Sequence, residues 1–488
     1  MRYVDVAGVR VPGPGSVFVG GDWVTATGLT RRVVSPSTGE IVLEVVLPGE
    51  SEARLALESA DGPGRDTWAR SSVAERVEVC RRFCAAIEER IPELGVVWAV
   101  EAGMPVAYSA ILHKFGAAGG WRSALDSAEA ALREDVRHSP LGDVLVRREP
   151  AGVVVAIMAY NGPLVTLATK VIPALLAGCP VIVKAAPESQ LIMRLVAECA
   201  IAAHFPTGAL SILCGEIDVA ERLTADPRVD LVSLTGGQVA AQRILDATRD
   251  RFARTHFELG GKSPALILDD APLERVLKSL VPGATGGAGQ VCALLSRILV
   301  SEQRHDEVVD ALRIVWQNLK IGEPLDPATR VGPLVNDAAL KRTEGFIERA
   351  KANGARVVAG GHRPPGLEAG FFHEPTLLTE VARGTELARE EVFGPVTAVL
   401  TYRDFDDALA LANDTGFGLA ATVYTTDRDA AMAAAARITT GSVAINTFGP
   451  TVTAPFGGRK GSGWGRESGP EGIHEFTELK QVLFGPGL

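Results

Sequence analysis

The stretch Val153-Val-Val-Ala-Ile-Met158, with PLVTLATKVIPALLAG (163–178) and PVIVKAA (180–186) behind it, decides the fold. Two short β-branched runs bracket a segment of helical length, and the runs are apolar on both faces, as strands buried between layers must be. The unit recurs through ESQLIMRLVAECAIAAH (188–204), ALSILCG (209–215), EIDVAERLTADP (216–227), VDLVSLTG (229–236), GQVAAQRILDATRD (237–250) and HFELGG (256–261). Strand and helix alternate four times, which predicts a parallel sheet with helices on both faces.

A second alternating region follows: SPALILDD (263–270), a helix near 272–282, a loop with a cysteine, SRILVSE (296–302) and a helix from His305 to Leu319. Farther on, VTAVLTY (396–402) predicts a strand and Asp406 to Asn413 a helix. A second α/β domain is the economical reading. Gly142 to Glu149 alternates like an antiparallel strand and the extreme C-terminus is short and strand-like; both are expected at an interdomain or oligomer contact. Pro12-Gly-Pro-Gly15 reads as a flexible lead-in, and no internal repeat is visible.

The bulk numbers narrow the class. A chain of 488 residues is too long for one ordinary core and predicts two or three domains. With 47% hydrophobic and 22% charged residues, the composition is that of a soluble globular enzyme or binding protein. A formal charge of -10 argues against a nucleic-acid or anionic-membrane partner. The six cysteines form no close CxxC pair, so neither a metal site nor a disulfide framework is signalled, and a reducing cytoplasm fits best. The start lacks the apolar core of a secretory signal. The longest apolar stretches are cut by Gly, Asn or Pro before the roughly 20 residues that a membrane helix needs.

Two phosphate-loop patterns fail on spacing. Gly260-Gly-Lys-Ser263 lacks the first Walker A glycine, since position 256 is His256. Gly461-Ser-Gly-Trp-Gly465 lacks a glycine at the right offset and the strand-to-helix setting. Leu234-Thr-Gly-Gly-Gln238 is better, because it closes a strand and opens a helix, where backbone N–H groups can meet a pyrophosphate. By itself it also suits a plain tight turn. Lys184 ends a strand where ligands of parallel sheets sit, or is a solvated lysine. The single cysteine of Gly289-Gln-Val-Cys-Ala-Leu-Leu-Ser-Arg297 reads, on residue type alone, as a small core hydrophobe.

Taken in order, these stretches resemble the NAD(P)-dependent aldehyde dehydrogenase superfamily. FVGGDWV (18–24) and SPSTGE (35–40) look like its N-terminal FINGxWV and NPATGE elements. AYNGPL (159–164) stands where the family has PWNFPL, and VIVKAAPE, SLTGGQ and FELGGKSP (257–264) follow. GQVCALLSR matches GQxCxAxSR; EEVFGPV (390–396), Asn446 and PFGGRKG (455–461) complete the set. The resemblance implies a Rossmann-like cofactor domain (1–128 and 150–257), an α/β catalytic domain (258–465) and a small β oligomerisation arm (129–149 and 466–488).

It also implies roles. Cys292 is the nucleophile, forming a thiohemiacetal and then a thioester. Asn161 and the Cys292 N–H are the oxyanion donors, and Glu258 is the base that activates the hydrolytic water. A glutamate at 258 separates this chain from members that pass the acyl group to coenzyme A. Lys184, Glu188, Gly236, Gly237, Leu259, Glu391, Phe393 and Tyr160 are the expected cofactor contacts. Many NAD-preferring members carry a glutamate three positions after the lysine; here that position is Pro187, with Glu188 one further, so NAD is expected and NADP stays open. Gly162, Thr166, Thr169, Val291, Ala293 and Phe456 are the expected substrate pocket. With Gly162 in place of an aromatic, the tunnel reads as wide and neutral, suited to a medium or bulky apolar aldehyde. A semialdehyde dehydrogenase and a non-catalytic oligomeric protein retaining the fold are the rival readings. The family implies a homodimer or homotetramer.

Overall fold

Val154–Met158 is buried along its whole length near the middle of an eight-stranded sheet. The computed structural model describes residues 3–485. Five strands of this sheet are parallel, in the spatial order Arg254–Glu258, Leu231–Thr235, Val154–Met158, Val181–Ala185 and Leu210–Cys214. The chain therefore builds outwards from Val154–Met158 on one side and then returns to add two strands on the other. The reversal leaves a crevice beyond the C-terminal ends of Val154–Met158 and Leu231–Thr235, the place where open α/β sheets bind ligands. Asn161 and Gly236-Gly237 flank it.

The segment at 163–178 is helical in three pieces, Pro163–Thr166, a wide turn over Leu167–Val171, and Ile172–Ala177. Pro173 has no N–H to return to the preceding turn, which the wider winding accommodates. At the far edge of the sheet Ser16–Val19 and Asp22–Thr25 add a hairpin. At the near edge Gly463–Trp464 runs antiparallel to Arg254–Glu258. Sequence assigns those two residues to the second unit, but their backbone belongs to the first sheet and seals the edge beside Glu258.

The second sheet has seven strands, ordered Arg356–Ala359, Thr376–Thr379, Val396–Tyr402, Arg297–Ser301, Pro264–Ile267, Ala420–Tyr424 and Ser442–Ile445, with only the first antiparallel to its neighbour. A third, antiparallel sheet joins Asp135–Ser139, Gly142–Pro150 and Thr477–Leu483. The fold is thus the α/β architecture expected, with a small β arm.

Pro12–Gly15 is not a loose lead-in. The buried guanidinium of Arg194 donates to Gly13 O at 2.6 Å and Ser16 O at 2.8 Å, which pins the segment to the first domain. Among the described residues no helix is long and apolar enough to cross a membrane, and no group of three His, Cys, Asp or Glu side chains is placed to hold a metal.

Candidate active site

The cysteine turn is built from glycine. After the helix Leu273–Thr285, residues Gly287, Ala288 and Gly289 all take positive φ (56°, 53° and 76°). At Gly289 an added Cβ would lie 2.0 Å from Gly394 O, so only glycine lets the turn rest on the segment after Glu391. Gly260 and Gly261 do the same from below. Their Cβ atoms would lie 2.1 Å from Glu391 Oε2 and 2.5 Å from Cys292 O. The Gly-Gly turn after Glu258 thereby brings Cys292 and Glu391 against one short stretch of backbone.

Gln290 locks the turn to the switch point of the first sheet. Asn161 Nδ2 donates to Gln290 O at 2.8 Å and Tyr160 OH to Gln290 Oε1 at 3.0 Å; the same Oε1 accepts from Val335 N at 3.0 Å. Trp98 Nε1 in turn donates to Tyr160 O at 3.0 Å. One amide hydrogen of Asn161 is thus spent on the cysteine turn and the other is free for a ligand. Of the six cysteines, all within the described residues, Cys292 alone is partly exposed. Burial pushes its thiol up to about 12, with the charges of Glu391, Glu258 and Glu467 adding to the effect. It is a neutral thiol at physiological pH.

Glu258 ends its strand with a buried carboxylate whose two oxygens have no hydrogen-bond partner. Burial first, then the Glu467 charge, holds it well above the usual carboxylate range, while Lys170 and Arg466 pull the other way. Room for it comes from Gly457, where a Cβ would lie 2.6 Å from Glu258 Oε1. Behind it runs a buried polar chain: Lys170 Nζ is 2.8 Å from Glu467 Oε1 and donates to Ser233 Oγ at 3.1 Å, and Ser233 Oγ meets His256 Nδ1 at 3.1 Å. His256 Nε2 stops 3.7 Å from Glu258 Oε1, and burial keeps the imidazole neutral. Sequence reading misses Lys170, Glu467 and His256. The one signal it offered was a lone charge, Lys170, inside the apolar segment 163–178.

The residues expected to contact a cofactor are placed as follows. Lys184 is 7% exposed at a strand end, with no hydrogen-bond or ion-pair partner among the described residues. Gly236 and Gly237 lie between the strand Leu231–Thr235 and the helix Gln238–Thr248, and nothing stands within 4 Å of where a Gly237 Cβ would be. Glu391 Oε1 accepts from Gly261 N at 3.0 Å, and burial raises its carboxyl to about 7. Arg342 fixes its backbone through Glu391 O at 2.6 Å and Val392 O at 2.9 Å. Phe393 has φ 57° and stands edge-on to Tyr160 at 6.3 Å between ring centroids. Leu259 is buried and donates its N–H to Ser462 O at 3.0 Å. Glu188 points to Arg31. Two residues absent from the sequence reading, Ile217 and Val239, are 59% and 66% exposed at the starts of neighbouring helices.

The substrate wall differs in detail from expectation. Gly162, Val291 and Phe456 are partly exposed, but Thr166, Thr169 and Ala293 are buried. The Thr166 hydroxyl turns back to Gly162 O and Pro163 O, both at 3.1 Å. Val165 is the partly exposed residue of that turn, with Cγ2 3.1 Å from where a Cβ on Gly116 would stand. A Cβ on Gly119 would similarly lie 3.5 Å from Val452 Cγ2, and Tyr108 packs over Gly286 and Gly287 just before the cysteine turn. Phe456 is also tied by reciprocal 2.7 Å backbone hydrogen bonds to Glu467.

Comparison with known proteins places this architecture. A profile of the Aldehyde dehydrogenase family matches residues 23–482. The chain belongs to that family and is an aldehyde dehydrogenase, an oxidoreductase. It is 36% identical to the geranial dehydrogenase of Castellaniella defragrans over 469 residues, covering 96% of this chain and 98% of that one. It is 35% identical to a 3-succinoylsemialdehyde-pyridine dehydrogenase of a Pseudomonas species over the same length, with 96% and 98% covered. The crystal structure of a Mycobacterium tuberculosis aldehyde dehydrogenase complexed with NAD+ superposes with a TM-score of 0.95 at 36% identity, over 97% of this chain and 99% of that one.

Proposed function

We propose that this enzyme oxidises a medium-sized or bulky apolar aldehyde to the free carboxylic acid, with NAD as cofactor and Cys292, Asn161 and Glu258 as its reacting residues. The observation that carries the reading is the convergence on one glycine turn of a partly exposed thiol, an amide with a free N–H and an unpaired buried carboxylate.

The Cys292 sulfur bonds to the aldehyde carbon and its proton passes to Glu258, whose raised affinity for protons suits that task. The carbonyl oxygen, now negative, is met by the free N–H of Asn161 and the backbone N–H of Cys292. When bound, NAD takes up the hydride that the carbon must lose. Glu258 releases the thiol proton to solvent and then deprotonates a water whose oxygen attacks the thioester carbon. The carbon–sulfur bond breaks, the acid leaves, and the proton that Glu258 took from the water returns to the sulfur to restore the thiol.

The residues fit a dinucleotide. Lys184 is a buried ammonium without a partner, suited to ribose hydroxyls. The open backbone at Gly236-Gly237 and the helix start behind it suit a pyrophosphate. Ile217 and Val239 offer apolar faces to a flat base, while Glu391, Phe393, Tyr160 and Leu259 lie towards the cysteine turn for the nicotinamide ribose. An apolar aldehyde is supported by Val165 and Val452 facing glycines 116 and 119, with Gly162 adding width, and by the name of the geranial-oxidising relative.

Exposed apolar residues on the third sheet, Val136, Leu141 and Leu479 at 57%, 69% and 63%, support assembly with further copies of the chain. Six unpaired cysteines support a cytoplasmic setting. The test is reduced-nicotinamide absorbance with geranial, decanal, phenylacetaldehyde and succinate semialdehyde, against Cys292→Ala. Higher kcat/KM on the apolar aldehydes is expected. A preference for succinate semialdehyde would overturn the substrate assignment, and turnover by Cys292→Ala would overturn the mechanism.

A further inference from the structure

Arg31 sits where neither the sequence motifs nor the reaction requires a cation. Its strand, Thr30–Val34, lies outside both large sheets, yet its guanidinium reaches two carboxylates at the C-terminal edge of the first one. Arg31 NH2 is 3.1 Å from Glu188 Oε1, and NH1 pairs with Glu216 Oε1. The two acids follow neighbouring parallel strands whose last residues, Ala185 and Cys214, stand side by side. Lys184, buried and unpartnered, ends the same edge. Burial lowers the proton affinity of Lys184, and Glu216, Glu188 and Asp218 are among the charges that act to raise it again. One free ammonium, two acids and a guanidinium held between them thus share the site assigned above to the adenosine ribose.

The chemistry of the two nicotinamide dinucleotides differs there by one group. A ribose 2′-hydroxyl is recognised by a carboxylate, and a 2′-phosphate by an arginine. This edge carries both kinds of partner, already paired with each other. We propose that the Glu188–Arg31–Glu216 triplet sets the choice between NAD and NADP: the acids neutralise Arg31 and leave their remaining oxygens to the ribose hydroxyls, so that NAD is preferred. A 2′-phosphate would meet two carboxylates at short range, with its only guanidinium already engaged. The corollary is that Arg31 is a phosphate partner in waiting, released when the acids are neutralised.

The inference rests on the cofactor-site reading, and direct binding separates the two. Quenching of tryptophan fluorescence is titrated with NAD and with NADP, without aldehyde, for wild type, Glu216→Gln, Glu188→Gln/Glu216→Gln, that double variant with Arg31→Met, and Lys184→Met. Glu216 is only partly buried, so Glu216→Gln serves should the double variant fold poorly. Wild type is expected to bind NAD about tenfold or more tightly than NADP. The double variant should cut that ratio by about tenfold through tighter NADP binding, and Arg31→Met should remove the gain. Lys184→Met should weaken both cofactors. A ratio that moves less than about threefold in the glutamine variants, while Lys184→Met weakens both cofactors, would overturn the inference alone. Wild-type binding of both by Lys184→Met would overturn the site reading and the inference with it.

Discussion

Cys292 carries electrostatics that oppose its own ionisation. Burial first, then the charges of Glu391, Glu258 and Glu467, hold the proton on sulfur up to about pH 12, against a backbone hydrogen bond from Ala293 that favours the thiolate. Below that value the thiolate fraction rises about tenfold per pH unit. Alkylation of the cofactor-free enzyme by iodoacetamide should therefore be slow at pH 7.5 and still climbing at pH 10. A plateau by pH 8 would show that some group not identified here stabilises the thiolate. Glu258 makes the complementary case. Its proton affinity is raised, so the basic form gains population as pH rises and steady-state turnover should rise with it. Glu258→Gln should slow both the burst of reduced cofactor and the steady rate, by about 10²–10⁴-fold, because the thiol proton and the water proton pass to the same carboxylate. A burst kept at the wild-type rate would mean that another group takes the thiol proton.

At the scale of elements, the site depends on turns that exclude side chains. Gly289→Ala would combine a positive φ with a contact of 2.0 Å to Gly394 O. Backbone strain alone costs about 1–3 kcal/mol, so a lower Tm and a lower kcat are expected together; an unchanged Tm would mean that the turn relaxes freely. The buried Lys170–Glu467 pair is the other joint. Removing one charge leaves the other unpaired, and Lys170→Met should destabilise by about 3–5 kcal/mol in chemical denaturation, with Lys170→Met/Glu467→Gln recovering part of the loss. Such joints mark the limit of what a sequence discloses. The run VTAVLTY gave the strand Val396–Tyr402 residue for residue, because a buried parallel strand writes its apolar pattern locally. Pro12–Gly15 looked flexible because the residue that pins it, Arg194, lies about 180 positions away. Lys170, His256 and Glu467 become neighbours only after three segments meet, so no local pattern announces them. Thr166, expected in the substrate pocket, turns its hydroxyl inward while Val165 stands against Gly116, for the same reason: helical phase shows its direction only once the neighbouring segment is in place.

Across the whole molecule, the three-stranded arm is the surface with least to do in a single chain. Leu479 and Val136 lie mostly exposed on it. Replacing both by Asp should cost a lone subunit within about 0.5 kcal/mol, as surface changes do, yet lower the mass measured by light scattering to that of one chain. An unchanged oligomer would move the contact elsewhere. The last residues of this arm have a further consequence. Thr477–Leu483 pairs along Gly142–Pro150, Gly463–Trp464 closes the sheet beside Glu258, and Glu467 belongs to the buried chain behind that base. The surroundings of Glu258 are thus supplied by residues about 200 positions later in the chain. During synthesis the parallel strands around Val154–Met158 can assemble before residues 463–467 have emerged. The wall behind Glu258 is therefore built late, on a sheet that is already standing.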